Sequence, residues 1–110
     1  MKFKNYRVEQ VYIGGFTGSI NHIESLLLGV FKNKDFIYVG HTDKGLNRVS
    51  NREELRHRLA NLARSTSPFK NKPEVTAPIH WVEPKLTCRV RFLEWTQDGL
   101  LRHATVVGFN

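Results

Sequence analysis

One short stretch of this sequence has a helical period, and the segments on both sides of it have the period of a strand. That order limits the possible folds more than any other feature. Leu55, Leu59 and Leu62 recur at i, i+4 and i+7, which stacks three apolar side chains on one helix face. Ser50-Asn51-Arg52-Glu53 has the form of a capping box, where a Ser hydroxyl and a Glu side chain satisfy N–H groups that the first turn leaves open. The stripe ends near Arg64, and Ser65-Thr66-Ser67-Pro68 stops the helix.

Three strand-like runs precede it. Tyr6 to Phe16 is rich in β-formers and closes on Gly14-Gly15, predicting a long strand that bends or bulges there. Glu24 to Lys32 and Phe36 to His41 flank the turn Asn33-Lys34-Asp35 and predict a hairpin. After the helix, residues 65–78 carry Pro68, Pro73 and Pro78; a loop of that length is expected at a partner surface. Ile79 to Val82 follows. Leu86 to Thr96 then alternates, with Leu86, Cys88, Val90 and Phe92 on one face and Thr87, Arg89 and Arg91 on the other. Gln97-Asp98-Gly99 is a turn and Leu100 to Phe109 the returning strand. A β-β-β-α-β-β-β order over residues 1–110 predicts a single mainly β domain. Its layout is that of the OB-fold, a small Greek-key barrel of five to six antiparallel strands with the helix between strands three and four. An SH3-like barrel is the rival, but it does not usually carry an amphipathic helix there.

Charge then narrows the function. Seventeen Lys and Arg against ten Asp and Glu leave +7, the balance of a polyanion binder. Lys44, Arg48, Arg52, Arg56, Arg58, Arg64, Lys70 and Lys72 share their stretch with only Glu53 and Glu54, so it holds six of those seven charges. Nucleic-acid phosphates are the expected ligand, with a merely solvated surface as the competing account. Cys88 is the sole cysteine, which excludes an intrachain disulfide and fits a reducing cytoplasm. No apolar run approaches a membrane span, and Met-Lys-Phe-Lys-Asn lacks a signal-peptide core. The expectation is a cytoplasmic, nucleoid-associated protein with no membrane partner. His22, His41, His57, His80 and His103 show no paired ligand spacing, so no metal site is expected. Ser65 and Ser67 read as turn formers, not nucleophiles. Trp81, Trp95, Phe69 and Tyr38 are candidate platforms for stacking bases, with packing the better account of both tryptophans.

Several motifs, in this order, resemble the OB-fold domain of bacterial ATP-dependent DNA ligases, especially those related to DNA ligase D of end joining. They are Val11-Tyr12-Ile13-Gly14-Gly15-Phe16, Leu27-Leu28-Gly29-Val30-Phe31, Tyr38-Val39-Gly40 with Gly45, Thr66-Ser67-Pro68-Phe69, His80-Trp81-Val82-Glu83-Pro84, and Phe92 to His103. The resemblance implies that residues 1–5 match the end of a preceding nucleotidyltransferase domain, with Lys2 and Lys4 similar to a Lys-x-Lys element that neutralises the nucleotide phosphate. The family's nucleophile lies in a Lys-x-Asp-Gly motif. This chain has none: Thr96-Gln97 precedes Asp98-Gly99, so no catalytic residue is assigned and no activity is expected of the chain alone. Arg102 and His103 match the start of a C-terminal motif, but Ala104 stands where proline is common and its Arg-x-Asp-Lys portion is absent before Asn110.

The implied function is to engage nicked or ended duplex DNA and assist adenylation and nick sealing in repair or end joining. The partners are that DNA and the ligase's nucleotidyltransferase domain; ATP and Mg2+ serve the parent enzyme, with no cofactor in this chain. Phosphate contact is expected from Arg48, Arg52, Arg56, Arg58, Lys70, Lys72, Arg89, Arg91 and Arg102. Two alternatives stay open: a stand-alone single-strand-binding OB protein, and a protein-interaction barrel.

Overall fold

The computed structural model describes residues 6–19, 23–43, 52–73 and 75–109. Strand β1 (Arg7–Gly18) is followed by β2 (Ile23–Lys32) and β3 (Asp35–Thr42), then the helix α1 (Arg52–Asn61). The short β4 (Ala63–Arg64) and β5 (Ile79–Val82) come next, then β6 (Thr87–Phe92), β7 (Glu94–Trp95), β8 (Leu101–Arg102) and β9 (Thr105–Phe109). All pairings are antiparallel.

β1 organises the barrel because it has two partners on one edge. β2 runs along its other edge, while Arg7–Tyr12 pair with β6 and Gly15–Thr17 pair with β5. A strand can pass from one partner to the next only by bending, and the register with β2 shifts between Ile13 and Gly15. The expected bulge therefore sits at Gly14. A Cβ there would lie 2.5 Å from Phe69 Cζ, so no side chain larger than hydrogen fits without displacing the ring. Gly29 has the same constraint: its Cβ would lie 2.5 Å from Phe36 Cζ.

The inward residues form one core. Val11 and Ile13 of β1, Leu26 and Leu28 of β2, Val39 of β3, Val82 of β5, Cys88, Val90 and Phe92 of β6, and Val106 of β9 are all buried in it. α1 covers this core with buried Leu55 and Leu59, and Leu62 packs against it, as the stripe requires. The cap at Ser50 and Asn51 lies outside the described residues. Together these features make the fold an OB barrel, open along one seam. No ladder joins β3 to β8 or β9 among the described residues; the Thr42 hydroxyl donates to Ala104 O at 2.7 Å instead.

A second apolar cluster, Leu27, Phe36, Tyr38 and Phe69, lies apart from this core. Phe69 ties the loop to this cluster, while its residues 65–67, 70–72 and 76–78 stay exposed. Phe69 stacks on Phe36 with centroids 4.8 Å apart. The Lys70 N–H donates to Phe36 O at 2.7 Å. Asn71 Oδ1 accepts the Tyr38 N–H at 2.8 Å and its amide donates to Tyr38 O at 3.4 Å. The loop thus acts as a strand substitute that satisfies the open edge of β3.

The two expected strands Leu86 to Thr96 and Leu100 to Phe109 each break once, near Leu93 and at His103. His103 has φ 57°, a left-handed conformation that interrupts a ladder and that residue periodicity does not encode. The hairpin register survives the break: Arg91 faces Thr105, the Leu93 N–H donates to Arg102 O at 2.9 Å, and Glu94 faces Arg102. Gly99 at φ 80° makes the turn that Asp98-Gly99 predicts.

Cys88 is fully buried on β6, and desolvation pushes its thiol up from 9.0 to about 12. The neutral thiol is the form the fold favours. Its contribution to stability is fully present below pH 9 and is lost as the pH rises from about 9 to 12. Cys88→Ala should flatten that alkaline decline relative to the parent chain in urea titrations across this range, at the cost of a small cavity. An identical pH slope in both proteins would show that the thiol ionises freely. Leu59, also fully buried, gives a larger effect: Leu59→Ala should cost about 2–5 kcal/mol in the same assay. An unchanged midpoint would mean that the helix does not close the core.

Candidate nucleic-acid interface

The basic residues nominated from the sequence fall into three groups. On α1, Arg56 pairs with Glu53 at 3.1 Å and Arg58 with Glu54 at 2.7 Å, one turn apart on the helix surface. Lys70 in the loop pairs with Asp35 at 2.8 Å, Arg64 with Glu83 at 3.4 Å, and Arg102 with Glu94 at 3.6 Å. Arg89, Arg91 and Lys72 form no ion pair with any described residue. Lys2, Lys4 and Arg48 lie outside the described residues, and of Arg52 only the backbone is described.

This placement changes the meaning of the charge count. Asp35 and Glu83 lie outside the basic stretch, and the fold carries them to Lys70 and Arg64, so the stretch is less positive in space than along the chain. Each pair is solvent-accessible and stabilises by no more than about 1 kcal/mol, so a phosphate can displace the carboxylate. The cations without an acid start with an advantage.

Arg89 and Arg91 project from the outer face of β6 because the inner positions Cys88, Val90 and Phe92 are locked into the core. Arg91 lies opposite Val8, and its guanidinium sits 4.9 Å from the Tyr6 ring centroid. Arg89 lies opposite Gln10 on β1 and Gly108 on β9; a Cβ on Gly108 would lie 3.2 Å from an Arg89 guanidinium nitrogen. The guanidinium therefore lies against the β9 backbone at the one residue with no side chain. Around the β2–β3 turn, Lys32 faces Asp35 across the hairpin, and Lys70 reaches the same Asp35.

The proposed stacking platforms resolve differently. Tyr38 and Phe69 are buried, Trp81 is half-buried against Phe69, and Trp95 meets Phe92 edge-on at 5.3 Å. Trp95 stays exposed, and Tyr6 and Phe31 are two further accessible rings among the described residues. A signal was present: Tyr6, Val8, Gln10 and Tyr12 alternate onto the face opposite Val11 and Ile13.

The remaining polar side chains serve the fold. His80 Nε2 meets Gly18 O at 3.0 Å, His41 Nδ1 meets the Tyr38 hydroxyl at 2.9 Å, and the Thr17 and Ser25 hydroxyls share a buried hydrogen bond of 2.6 Å. A cleft of about 520 Å³ opens at the barrel seam beside Thr42, His41, Asp43, His103 and Ala104. Among the described residues no group of three His, Cys, Asp or Glu side chains could hold a metal ion. No described helix is long and apolar enough to cross a membrane.

Comparison with known proteins places this barrel among relatives. Residues 19–110 match the family model for the ATP-dependent DNA ligase C-terminal region. The multifunctional non-homologous end joining protein LigD of Pseudomonas aeruginosa is 31% identical over 98% of this chain. The multifunctional non-homologous end joining DNA repair protein LigD of Mycobacterium tuberculosis is 32% identical over 96% of it. The chain spans 14% of the length of each. Among solved structures, a mycobacterial DNA ligase D complexed with ATP and MES superposes with a TM-score of 0.80 at 30% identity, covering 96% of this chain and 35% of that one. The ligase domain of M. tuberculosis LigD gives 0.79 at 30% identity, covering 96% and 34%.

Proposed function

Because the chain belongs to the family of ATP-dependent DNA ligase C-terminal regions, we propose that it is the OB-fold module with which a bacterial ligase grips duplex DNA at a nick or end. In that role it assists adenylation and sealing by a nucleotidyltransferase domain during repair or end joining. The observation that carries this reading is the match of 96% of the chain, at a TM-score of 0.80, to a DNA ligase D structure. The chemistry agrees. A ligase must accept any sequence, so its grip has to come from phosphates, and phosphate contacts need cations but no base readout.

Arg89 and Arg91 are the first candidates, since no described acid competes for them and the sheet holds both on one face. Lys72 and the helix residues Arg52, Arg56 and Arg58 are a second set, with Arg48, Lys70 and Arg102 as further contributors. A guanidinium fork pairs with two phosphate oxygens at once, so Arg→Lys should weaken binding even with charge conserved. Lys2 and Lys4 keep the proposed role at the nucleotide phosphate. ATP and Mg2+ are assigned to the parent enzyme, as its family implies.

Catalysis must come from elsewhere in such an enzyme. The chain carries no Lys-x-Asp-Gly, and its one thiol is buried and protonated, so it offers no nucleophile for a covalent adenylate. Incubated with radioactive ATP, the isolated chain should take up no label and seal no nick; a covalently labelled chain would overturn the assignment. For DNA, the test is a salt titration of duplex binding. Each phosphate contact removed should lower the slope of log affinity against log salt by about 0.9, equally for unrelated sequences. Arg89→Ala/Arg91→Ala should therefore flatten the slope by up to about 1.8 and Arg52→Ala/Arg56→Ala by less. Slopes equal to the parent's in both variants would leave the basic residues as solvated surface.

A further inference from the structure

The large apolar side chains that water reaches are not scattered. Five are exposed among the described residues: Trp95 (37%) lies apart on β7, while Tyr6 (45%), Val8 (56%) and Phe31 (46%) share the outer face of β2, β1 and β6, with Val107 (41%) at its margin in the β9 bulge. Phe31 is held by Tyr12, whose ring meets it edge-on at 5.0 Å, and Tyr6 lies beneath Arg91. Gln10, Arg89 and Thr87 fill the rest of the face, and the strand alternation puts no acid on it among the described residues, since Asp35 pairs with Lys32 on the opposite face from Phe31. A surface that only tracks duplex phosphates needs the arginines and has no use for bare rings, which are costly to leave in water. Rings interleaved with guanidinium groups fit one ligand chemistry better: an unpaired strand, whose bases expose their faces and whose phosphates follow the cations.

We propose that this face is a stacking platform for unpaired DNA, with Tyr6 and Phe31 as base-stacking rings and Arg89 and Arg91 as the phosphate contacts between them. It goes beyond the duplex reading, because it gives the module a place for the single-stranded part of a frayed or overhanging end. The charge complementarity and the clustering of exposed rings favour a strand over a protein partner or a second copy of the chain.

The test uses the 110-residue chain and fluorescence anisotropy with three labelled probes of equal length: oligo-dT, an abasic strand and a blunt duplex. Oligo-dT should bind more tightly than the abasic strand. Phe31→Leu should lower oligo-dT affinity roughly five- to a hundredfold while leaving the abasic strand and the duplex unchanged; Tyr6→Leu, which also removes the ring beneath Arg91, should lower oligo-dT affinity by a larger factor than it lowers the other two, and Tyr6→Phe should retain full affinity. Both positions are exposed, and a circular dichroism melt confirms that the variants fold. Equal affinity for dT and abasic strands overturns the proposal. So does insensitivity to both leucine changes, or a sedimentation shift showing that the face joins two copies. Duplex binding can persist in any of these cases, so this proposal and the duplex reading fail separately.

Discussion

Two aromatic rings lying directly on glycine backbone hold the architecture together. Phe69 and Phe36 occupy the space where Gly14 and Gly29 would carry a Cβ, and three irregularities meet at that contact. At Gly14 β1 bulges and passes from β6 to β5; at Gly29 the β2–β3 register shifts; and Phe69 anchors the long loop. Without the bulge β1 could not serve two partners, and the sheet would remain a flat meander with its inner face open. Without the anchor the Lys70 N–H and the Asn71 side chain would leave the edge of β3, which is the edge that a neighbouring chain could otherwise extend.

The same packing decides which charges are available. Burial of Cys88, Val90 and Phe92 forces Arg89 and Arg91 outward, and the pairing of β6 with the first half of β1 sets them beside Gln10 and Val8. The helix works differently. Arg56 and Arg58 lie on solvent-facing flanks of the leucine stripe, within reach of Glu53 and Glu54 one turn away. Those acids stabilise the N-terminal turn through the helix dipole and temper the arginines in the same geometry. Local sequence can build such a pair on any helix, whereas the pairing of Lys70 with Asp35 needs the loop and the β2–β3 turn to meet in three dimensions.

That difference explains what could be read beforehand. The Leu55 and Leu59 stripe, the bulge at Gly14, the alternation of Cys88, Val90 and Phe92, and the turn at Gly99 are consequences of local geometry, where spacing carries the information. The packed loop depends on Phe69 finding two glycines far away in sequence. The break at His103 depends on one left-handed residue, and β4 is too short to show a period. Residue type nominates a ring for base stacking, but its exposure depends on strand parity and on what covers each face. Parity alone would have set Tyr6 and Tyr12 outward; the loop then covers Tyr38 and leaves Phe31 bare.

A binding surface on the sheet also has a thermodynamic advantage over one on the helix. Immobilising a long side chain at an interface costs on the order of 0.5–1.5 kcal/mol in rotamer freedom, and a guanidinium already resting on a ring or a strand has lost part of that freedom on folding. Arg91 over Tyr6 and Arg89 against Gly108 are in that position, while Arg56 and Arg58 must first release a carboxylate. On the proposed reading, phosphates approaching the barrel would meet an ordered, uncompensated pair on β6 before recruiting the helix. Polyanion binding by this fold should accordingly depend on the outer strand face first and on the longest basic run of the sequence second.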